Sequence, residues 1–289
     1  MIDCTIVILG HNGADYTARC LDSILASDPL PEAVVAVNNG STDHTQEVLD
    51  DRRQAFADAG IQLTLLANDH NAGCSEARNA AWKHATTAYT MFLDNDTAAR
   101  SIDWLARLAE HLDNNPELGV IAPAMVYPWK PHLIQCAGVD LNPAGRIRFR
   151  GRGEARGTTP FDVYGEFPAL ISACWMMRND LLAKTGGLDP LFHPVQYEDL
   201  DFCMRVRELG LACACDPTIE VYHFEGTTTA SRGRDDYVRT ILANSAKFRE
   251  RWHEQLKNLP NDDGDGSWHK RDDVPMTDEL DLSMIPAKG

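Results

Sequence analysis

The sequence has no apolar run close to the roughly 20 consecutive residues that a helix needs to cross a bilayer. It has no CxxC pair, and its eight cysteines are scattered through apolar segments, which favours reduced core thiols over a disulfide framework or a zinc site. The residues after Met1 lack the basic and apolar regions of a secretory signal, so we expect a cytoplasmic location. No internal repeat is present.

Basic residues are scarce relative to acidic ones: 27 Lys and Arg stand against 43 Asp and Glu, a formal net charge of −16. A field of that sign repels nucleic acid and anionic lipid, so nucleic acid is not expected as a partner. An anionic nucleotide ligand would need a cation to offset the same repulsion. Acidic clusters are therefore candidate metal sites.

Apolar runs alternate with helical patterns through the first third of the chain. The runs at residues 5–9, 33–37, 62–66 and 89–93 predict buried strands, and helices are expected between them. Such alternation predicts an α/β fold with a Rossmann-like, mostly parallel sheet flanked by helices. Polar clusters at 10–12, 38–43 and 94–96 each follow a strand, and ligands of such sheets bind beyond the carboxyl ends of the strands. We therefore expect these clusters to meet in one crevice.

The alternation of strands and helices is less regular after residue 118, so we predict the elements of this region one by one. They are short strands near residues 120 and 134, a glycine- and arginine-rich hairpin or loop at 145–157, strands at 169–177, 212–216 and 219–224, and helices at 181–184, 199–209 and 237–256. Asp43 and Gln46 resemble a capping box for a helix that runs to Gly60. The predicted units are a large α/β domain at 1–230, divided into halves at 1–118 and 119–230, a helical segment at 231–258, and an acidic, extended or disordered tail at 259–289.

Asp94 and Asp96 follow the fourth predicted strand. Alternate residues of an extended segment share a face, so both carboxylates can address one hard divalent cation such as Mn²⁺ or Mg²⁺. For an isolated DxD a solvated turn or a helix cap is the commoner explanation, but the position of this one beyond a strand favours a site.

A second acidic cluster, Glu198, Asp199 and Asp201, begins a predicted helix, where capping needs only one or two acids. We predict Asp199 as the general base and Glu198 as a contact for the acceptor, with Asp201 as a cap residue. Trp175 is either an acceptor-stacking platform or a core aromatic. Four alternating arginines could line a loop over a diphosphate or lie on a solvated hairpin: Arg146, Arg148, Arg150 and Arg152.

Four segments together resemble the GT2-type inverting glycosyltransferases of the GT-A fold, in particular their rhamnosyltransferase-like branch. They are TIVILGHN at 5–12, VNNGSTD at 37–43, the stretch 71–96 with ARN and DND, and the stretch 186–226 with GGLD, EDLDFCMR and VYHFEG. The resemblance implies a hexosyltransferase (EC 2.4) that moves a sugar from a UDP-, dTDP- or GDP-sugar to a carbohydrate or glycolipid acceptor in bacterial polysaccharide or glycoconjugate assembly.

The same resemblance makes 1–230 the catalytic domain, with a nucleotide-sugar half at 1–118 and an acceptor half at 119–230, and it implies roles for individual residues. Asp199 is the base, Asp96 and His223 bind the metal, and Asp94 lies toward the ribose; the nucleotide contacts are Leu9, His11, Asn38 and Arg78. The family usually has an acid at the position of Asn38 and often a tyrosine at that of His11. Peripheral membrane contact and a homodimer stay open.

Two other functions compete with this interpretation. A sugar nucleotidyltransferase would use a similar sheet, but its glycine-rich phosphate loop is missing after the first strand, where Gly10 and Gly13 frame His11 and Asn12. A catalytically silent binding subunit would be free to lose the acids and His223, all of which are present.

Overall fold

The computed structural model describes residues 1–226, 234–260 and 274–286. The strands are β1 (Ile2–Gly10), β2 (Pro31–Asn39), β3 (Gln62–Asn68), β4 (Tyr89–Asp94), β5 (Thr97–Ala99), β6 (Leu118–Val126), β7 (Ile134–Cys136), β8 (Val139–Leu141), β9 (Ile147–Phe149), β10 (Gly165–Glu166), β11 (Cys174–Arg178) and β12 (Ala212–His223). The helices are α1 (Ala14–Leu25), α2 (Thr45–Asp51), α3 (Arg53–Asp58), α4 (Cys74–Trp82), α5 (Trp104–Asn114), α6 (Asn179–Thr185), α7 (Glu198–Glu208), α8 (Arg234–Arg251) and α9 (His253–Lys257), with a 3₁₀ turn at Pro190–Phe192.

A ten-stranded sheet forms the centre of the molecule, in the order β10-β12-β6-β11-β4-β1-β2-β3, with β5 paired to β12 and β7 to β6. The neighbours β3, β2, β1 and β4 run parallel, and β11 runs antiparallel between β4 and β6. Five consecutive residues of β1 are buried, as expected of a strand covered on both faces. The predicted α/β fold is confirmed, with a sheet that is parallel from β3 to β4 and mixed beyond β4.

Apolar residues at helical spacing place α1 against this sheet, as predicted: Thr17, Cys20, Leu21 and Ile24 are buried on its inner face. The core also buries all eight cysteines, and none forms a disulfide. The thiols therefore contribute to packing, as their distribution in the sequence indicated.

Several predicted elements differ in the structure. The helix predicted to run to Gly60 is divided at Arg52 into α2 and α3. The predicted capping box does not form, because the side chain of Gln46 binds Asn38 and Asp50. Asp43 accepts hydrogen bonds from the backbone amide of Thr45 at the start of α2 and from those of Gly13 and Ala14 at the start of α1. The strands predicted at 212–216 and 219–224 are one strand, β12, with a register shift between Asp216 and Glu220.

The C-terminal region contains two helices where one was predicted, since α8 ends at Arg251 and α9 begins at His253. Part of the predicted tail, 261–273 and 287–289, lies outside the described residues. Residues 274–286 lie along the domain and form isolated β-bridges from Leu280 to Trp129 and from Ile285 to Ser101, outside the strands of the sheet. Among the helices of the described residues, none combines the length and apolarity needed to span a bilayer.

Candidate active site

A cavity of about 620 Å³ lies at the carboxyl ends of β1, β2 and β4. Polar loops follow these strands, so the crevice that the sequence predicted is formed. Most of the residues predicted for the site line it: Leu9, His11, Arg78, Asp94, Asp96, Glu198, Asp199 and His223.

Asp94, Asp96 and His223 bring their ligand atoms within 4.8 Å of one another. Strand pairing explains this arrangement, because β5 pairs antiparallel with the end of β12 and places His223 opposite Thr97, one residue after Asp96. His223 Nε2 lies 3.4 Å from Asp96 Oδ1. Two carboxylates and an imidazole suit Mn²⁺ or Mg²⁺, so the residues present fit a divalent cation. Asp94, predicted to lie toward the ribose, is thus also the third member of this group.

Arg78 connects this group to the rest of the site. Its buried guanidinium donates to Asp94, to the hydroxyl of Ser172 at 2.6 Å and to the carbonyl of Ser172 at 3.0 Å. Its charge lies 5.3 Å from the ring centroid of Phe92. Burial raises the pKa of Asp94, while the positive charge of Arg78 opposes that rise. Arg78 therefore holds Asp94 in place and offsets part of the acidic charge of the cavity.

Asp199 lies at the start of α7 on another wall of the same cavity. Its carboxylate accepts hydrogen bonds from the backbone amides of Ser172 at 3.3 Å and of Leu200 at 2.8 Å. Burial raises the pKa of Asp199 to about 6, and these hydrogen bonds and Arg78 limit the rise. A carboxylate with a pKa near neutrality is well suited to general base catalysis.

Glu198 precedes Asp199 and is almost fully buried, with 3% of its surface exposed. Burial, followed by the negative charge of Asp199, raises the pKa of Glu198 to about 8. Its Oε2 has no hydrogen-bond partner within the described residues. The raised pKa favours the protonated form of Glu198 at neutral pH, and its Oε2 lies in the cavity wall.

Asn38 and Trp175, which were predicted to contact the substrate, do not line the cavity. Asn38 donates to Gln46 and accepts from the amide of Ser41, so its side chain stabilises the turn, and its neighbour Asn39 lines the cavity. Trp175, with 0% of its surface exposed, packs between Phe92 and Phe202. The prediction of Trp175 as an acceptor platform was wrong, because β11 is a central strand covered on both faces.

The prediction for Asp201 as a cap residue was also wrong. Its buried carboxylate binds Arg205, Arg251 and the indole nitrogen of Trp252, at 2.8, 2.8 and 3.0 Å. Asp201 therefore joins α7 to α8 and to the break before α9.

The four alternating arginines do not share one face. Arg148 and Arg152 line the cavity. Arg148 forms an ion pair with Asp140 at 2.8 Å, and Arg152 forms one with Glu225 at 2.7 Å. Arg150 instead lies over the rings of two phenylalanines. The alternation ends because β9 stops at Phe149 and the backbone turns through Gly151 at a φ of 74°.

The sequence reasoning missed several residues of the cavity: Ser172, Gln135, Phe149, Glu225 and Tyr237. Gln135 and Ser172 gave a detectable signal, since each is an isolated polar residue within an apolar segment. Phe149 and Tyr237 gave none, because only the tertiary structure brings their elements to the cavity.

Comparisons with known proteins identify the family of this chain. The profile of Glycosyl transferase family 2 matches residues 5–186. The succinoglycan biosynthesis protein ExoO of Rhizobium meliloti (strain 1021) is 33% identical over 265 residues, which cover 86% of this chain and 69% of ExoO. The O-antigen biosynthesis protein RfbC of Myxococcus xanthus is 26% identical over 241 residues, 80% of this chain but only 18% of RfbC. The chain thus spans about a fifth of that larger relative.

Solved structures share the fold at low sequence identity. GalNAc-T7, solved with UDP, GalNAc and Mn²⁺, superposes with a TM-score of 0.63 at 17% identity over 76% of this chain and 42% of its own. The mannosyltransferase PcManGT of Pyrobaculum calidifontis, solved with GDP-Man and Mn²⁺, gives a TM-score of 0.57 at 20% identity, covering 88% and 72%. The mixed sheet and its helices are those of the GT-A fold, and this chain is a member of glycosyl transferase family 2.

Proposed function

We propose that the protein transfers a hexose from a nucleoside diphosphate sugar to an acceptor hydroxyl, with inversion at the anomeric carbon and with a divalent cation bound. The observation that carries this proposal is that Asp94, Asp96 and His223 converge on the cavity that also holds Asp199. One cavity thus offers a cation site for a diphosphate and a base for an incoming hydroxyl.

The cation, Mn²⁺ or Mg²⁺, would be held by Asp94, Asp96 and His223. When bound, it would neutralise the negative charge that develops on the diphosphate leaving group. Leu9 and His11 line the part of the cavity next to β1 and would contact the nucleotide base. Arg78 fixes the orientation of Asp94 through their ion pair.

Asp199 acts as the base. Its carboxylate takes the proton of the acceptor hydroxyl while that oxygen bonds to the anomeric carbon and the bond from that carbon to the diphosphate oxygen breaks. A single displacement with the base on the face opposite the leaving group inverts the anomeric centre. Protonated Glu198 can donate a hydrogen bond to the acceptor and hold it beside Asp199.

The donor we propose is a UDP-, dTDP- or GDP-sugar, and the acceptor a carbohydrate or glycolipid. Support comes from neighbours solved with UDP, with UDP-GlcNAc and with GDP-Man. Relatives named for O-antigen and succinoglycan biosynthesis support a place in polysaccharide or glycoconjugate assembly.

A thermal-shift panel of UDP, dTDP and GDP, each with Mn²⁺ or with EDTA, tests this proposal. A ligand that binds only the folded state raises the melting temperature, and at a hundred times its dissociation constant it adds about 2.7 kcal/mol. We expect one nucleotide to stabilise the protein with Mn²⁺ and to lose most of that effect with EDTA. Equal stabilisation in EDTA would contradict the cation site.

Turnover assays separate the alternatives. Incubation with a nucleoside triphosphate and a sugar phosphate should release no pyrophosphate, and its release would indicate a nucleotidyltransferase. Nucleotide binding with no turnover of any donor across an acceptor panel would favour a silent binding subunit.

A further inference from the structure

Gln135 is a buried amide in the middle of β7, with 1% of its surface exposed, between the apolar residues Ile134 and Cys136. Its Oε1 lies 2.6 Å from Nδ1 of His223. Its Nε2 lies 3.1 Å from Glu225 Oε2 and donates to it. An amide nitrogen can only donate and the carboxylate can only accept, so the contact with Glu225 fixes which end of the amide faces His223.

The orientation of Gln135 determines the tautomer of the neutral ring. Since Oε1 of Gln135 accepts, Nδ1 of neutral His223 carries the hydrogen and Nε2 keeps its lone pair. That nitrogen is the one 3.4 Å from Asp96 Oδ1. The tautomer that Gln135 selects is therefore the one that can bind a cation together with Asp96.

Glu225 is itself held firmly in place. It accepts hydrogen bonds from the hydroxyl of Tyr127 at 2.9 Å and from Arg152 at 2.7 Å. The amide of Gln135 is therefore anchored at one end by a fixed carboxylate and presents its other end to His223. If position 135 served only to fill space in the core, an apolar side chain would cost the folded state less free energy, because a buried amide must have its hydrogen bonds satisfied.

We propose that Gln135 is a positioning residue for His223, which it holds in the tautomer and ring orientation that direct Nε2 toward the cation shared with Asp96. This inference rests on the proposed function, because it needs the cation site. Outer partners of metal-binding histidines fix the ring in this way, and their loss typically weakens metal binding by about 10–100-fold.

The test measures Mn²⁺ binding by the metal-free protein without any substrate, from the electron paramagnetic resonance signal of free Mn²⁺. Gln135→Met keeps the length of the side chain and removes both hydrogen bonds, and we expect Mn²⁺ affinity to fall by about 10–100-fold. Gln135→Glu, protonated beside the carboxylate of Glu225, keeps a donor for Glu225 and an oxygen acceptor for Nδ1, so it should bind Mn²⁺ more tightly than Gln135→Met.

A double-mutant cycle shows whether Gln135 acts through His223. In a His223→Ala background, Gln135→Met should change Mn²⁺ affinity by less than about threefold, since the ring it positions is gone. Thr5→Val is the matched control, because it removes a buried hydrogen bond of 2.7 Å between Thr5 in β1 and Thr87, neither of which lines the cavity. It should lower the melting temperature and leave Mn²⁺ affinity unchanged.

The outcomes separate this inference from the proposed function. If His223→Ala weakens Mn²⁺ binding and Gln135→Met does not, or if Gln135→Met acts equally in both backgrounds, the role of Gln135 is overturned and the cation site stands. If His223→Ala and Asp96→Ala both bind Mn²⁺ as the unmodified protein does, the cation site itself fails.

Discussion

At the scale of single residues, Asp199 carries the proposed proton transfer. Asp199→Asn keeps the size of the side chain and one acceptor oxygen for the amide of Ser172 or of Leu200, but it removes the basic carboxylate. We expect kcat to fall by about 10²–10⁴-fold, the usual contribution of general base catalysis, and the dissociation constant for UDP or the preferred nucleotide to change little. Radiolabelled donor turnover and calorimetric nucleotide binding would measure both quantities.

The pH dependence of the unmodified enzyme provides a second readout for Asp199. Since its pKa is raised to about 6, kcat should decline as the pH falls below that value and the carboxylate takes up a proton. Asp58→Asn on exposed α3 is the control and should leave both kcat and its pH profile unchanged. A full kcat in Asp199→Asn would assign the base to another residue.

Glu198 should lower the stability of the protein at neutral and alkaline pH. Folding raises its pKa, so the folded state binds this proton more tightly than the unfolded state, and stability is lost as the pH rises from the ordinary glutamate value toward about 8. Glu198→Gln removes that ionisation. At pH 8 we expect it to unfold with a free energy about 1–3 kcal/mol higher than the unmodified protein.

Urea unfolding at pH 4 and at pH 8 would check this prediction. The advantage of Glu198→Gln should nearly vanish at pH 4, where the glutamate is neutral in both states. An advantage of the same size at both values would mean that the buried charge is not its cause.

At the scale of elements, the turn after β2 must pass very close to the loop after β3. Gly40 has a φ of +71°, and a Cβ atom there would lie 2.4 Å from the backbone carbon of His70. Gly40→Ala should therefore add a steric clash to the cost of the left-handed backbone. Gly60 has a φ of +75° and open space around it, so Gly60→Ala carries the backbone cost alone.

We expect Gly60→Ala to lower the free energy of unfolding by about 1–2 kcal/mol and Gly40→Ala by about 1–3 kcal/mol more. Chemical denaturation of both variants gives the comparison. Because the loop after β3 contributes Asn71 to the cavity, Gly40→Ala should also weaken nucleotide binding, and Gly60→Ala should not. Equal losses of stability would show that the loop moves away without cost.

At the scale of the whole molecule, the net charge of −16 opposes the approach of an anionic nucleotide. Added salt screens this repulsion, with a screening length of about 10 Å at 0.1 M. For the metal-free protein we therefore predict that the association rate of UDP rises as NaCl is increased from low concentration.

Stopped-flow binding measures this rate, and uridine, which has no charge, should show no such dependence. A rate for UDP that falls with salt would mean that the local field of Arg78, Arg148 and Arg152 dominates.

Much of the fold and part of the candidate site could be predicted from local sequence. The strands of the parallel half and the buried face of α1 were predictable because buried strands and amphipathic helices impose regular apolar patterns. Asp94 and Asp96 were predictable as a pair because they lie two residues apart, directly after one predicted strand. His223 was linked to them by resemblance, since no local pattern relates residues so far apart in the chain.

Other features could not be derived from the sequence. The environment of Trp175 depends on which strands flank β11, and the local pattern around it fits a central strand and an exposed one alike. The roles of Asp43 and Asp201 depend on helices that begin elsewhere in the chain, α1 in one case and α8 in the other. The same limit applies to Gln135, whose position in an apolar segment signalled a buried polar group but not its partner.

The sequence by itself therefore determined the α/β class, the strands that carry the polar loops, and the chemical nature of the groups available, because these depend on residue type and short-range periodicity. The tertiary structure alone decided which groups meet. The antiparallel pairing of β5 with β12 brings Asp96 beside His223, and the packing of α4 against the sheet buries Arg78 between Asp94 and Ser172. Contacts of this kind arise from long-range strand pairing and from burial, which raises the pKa of Glu198 and Asp199 only once the chain has folded around them.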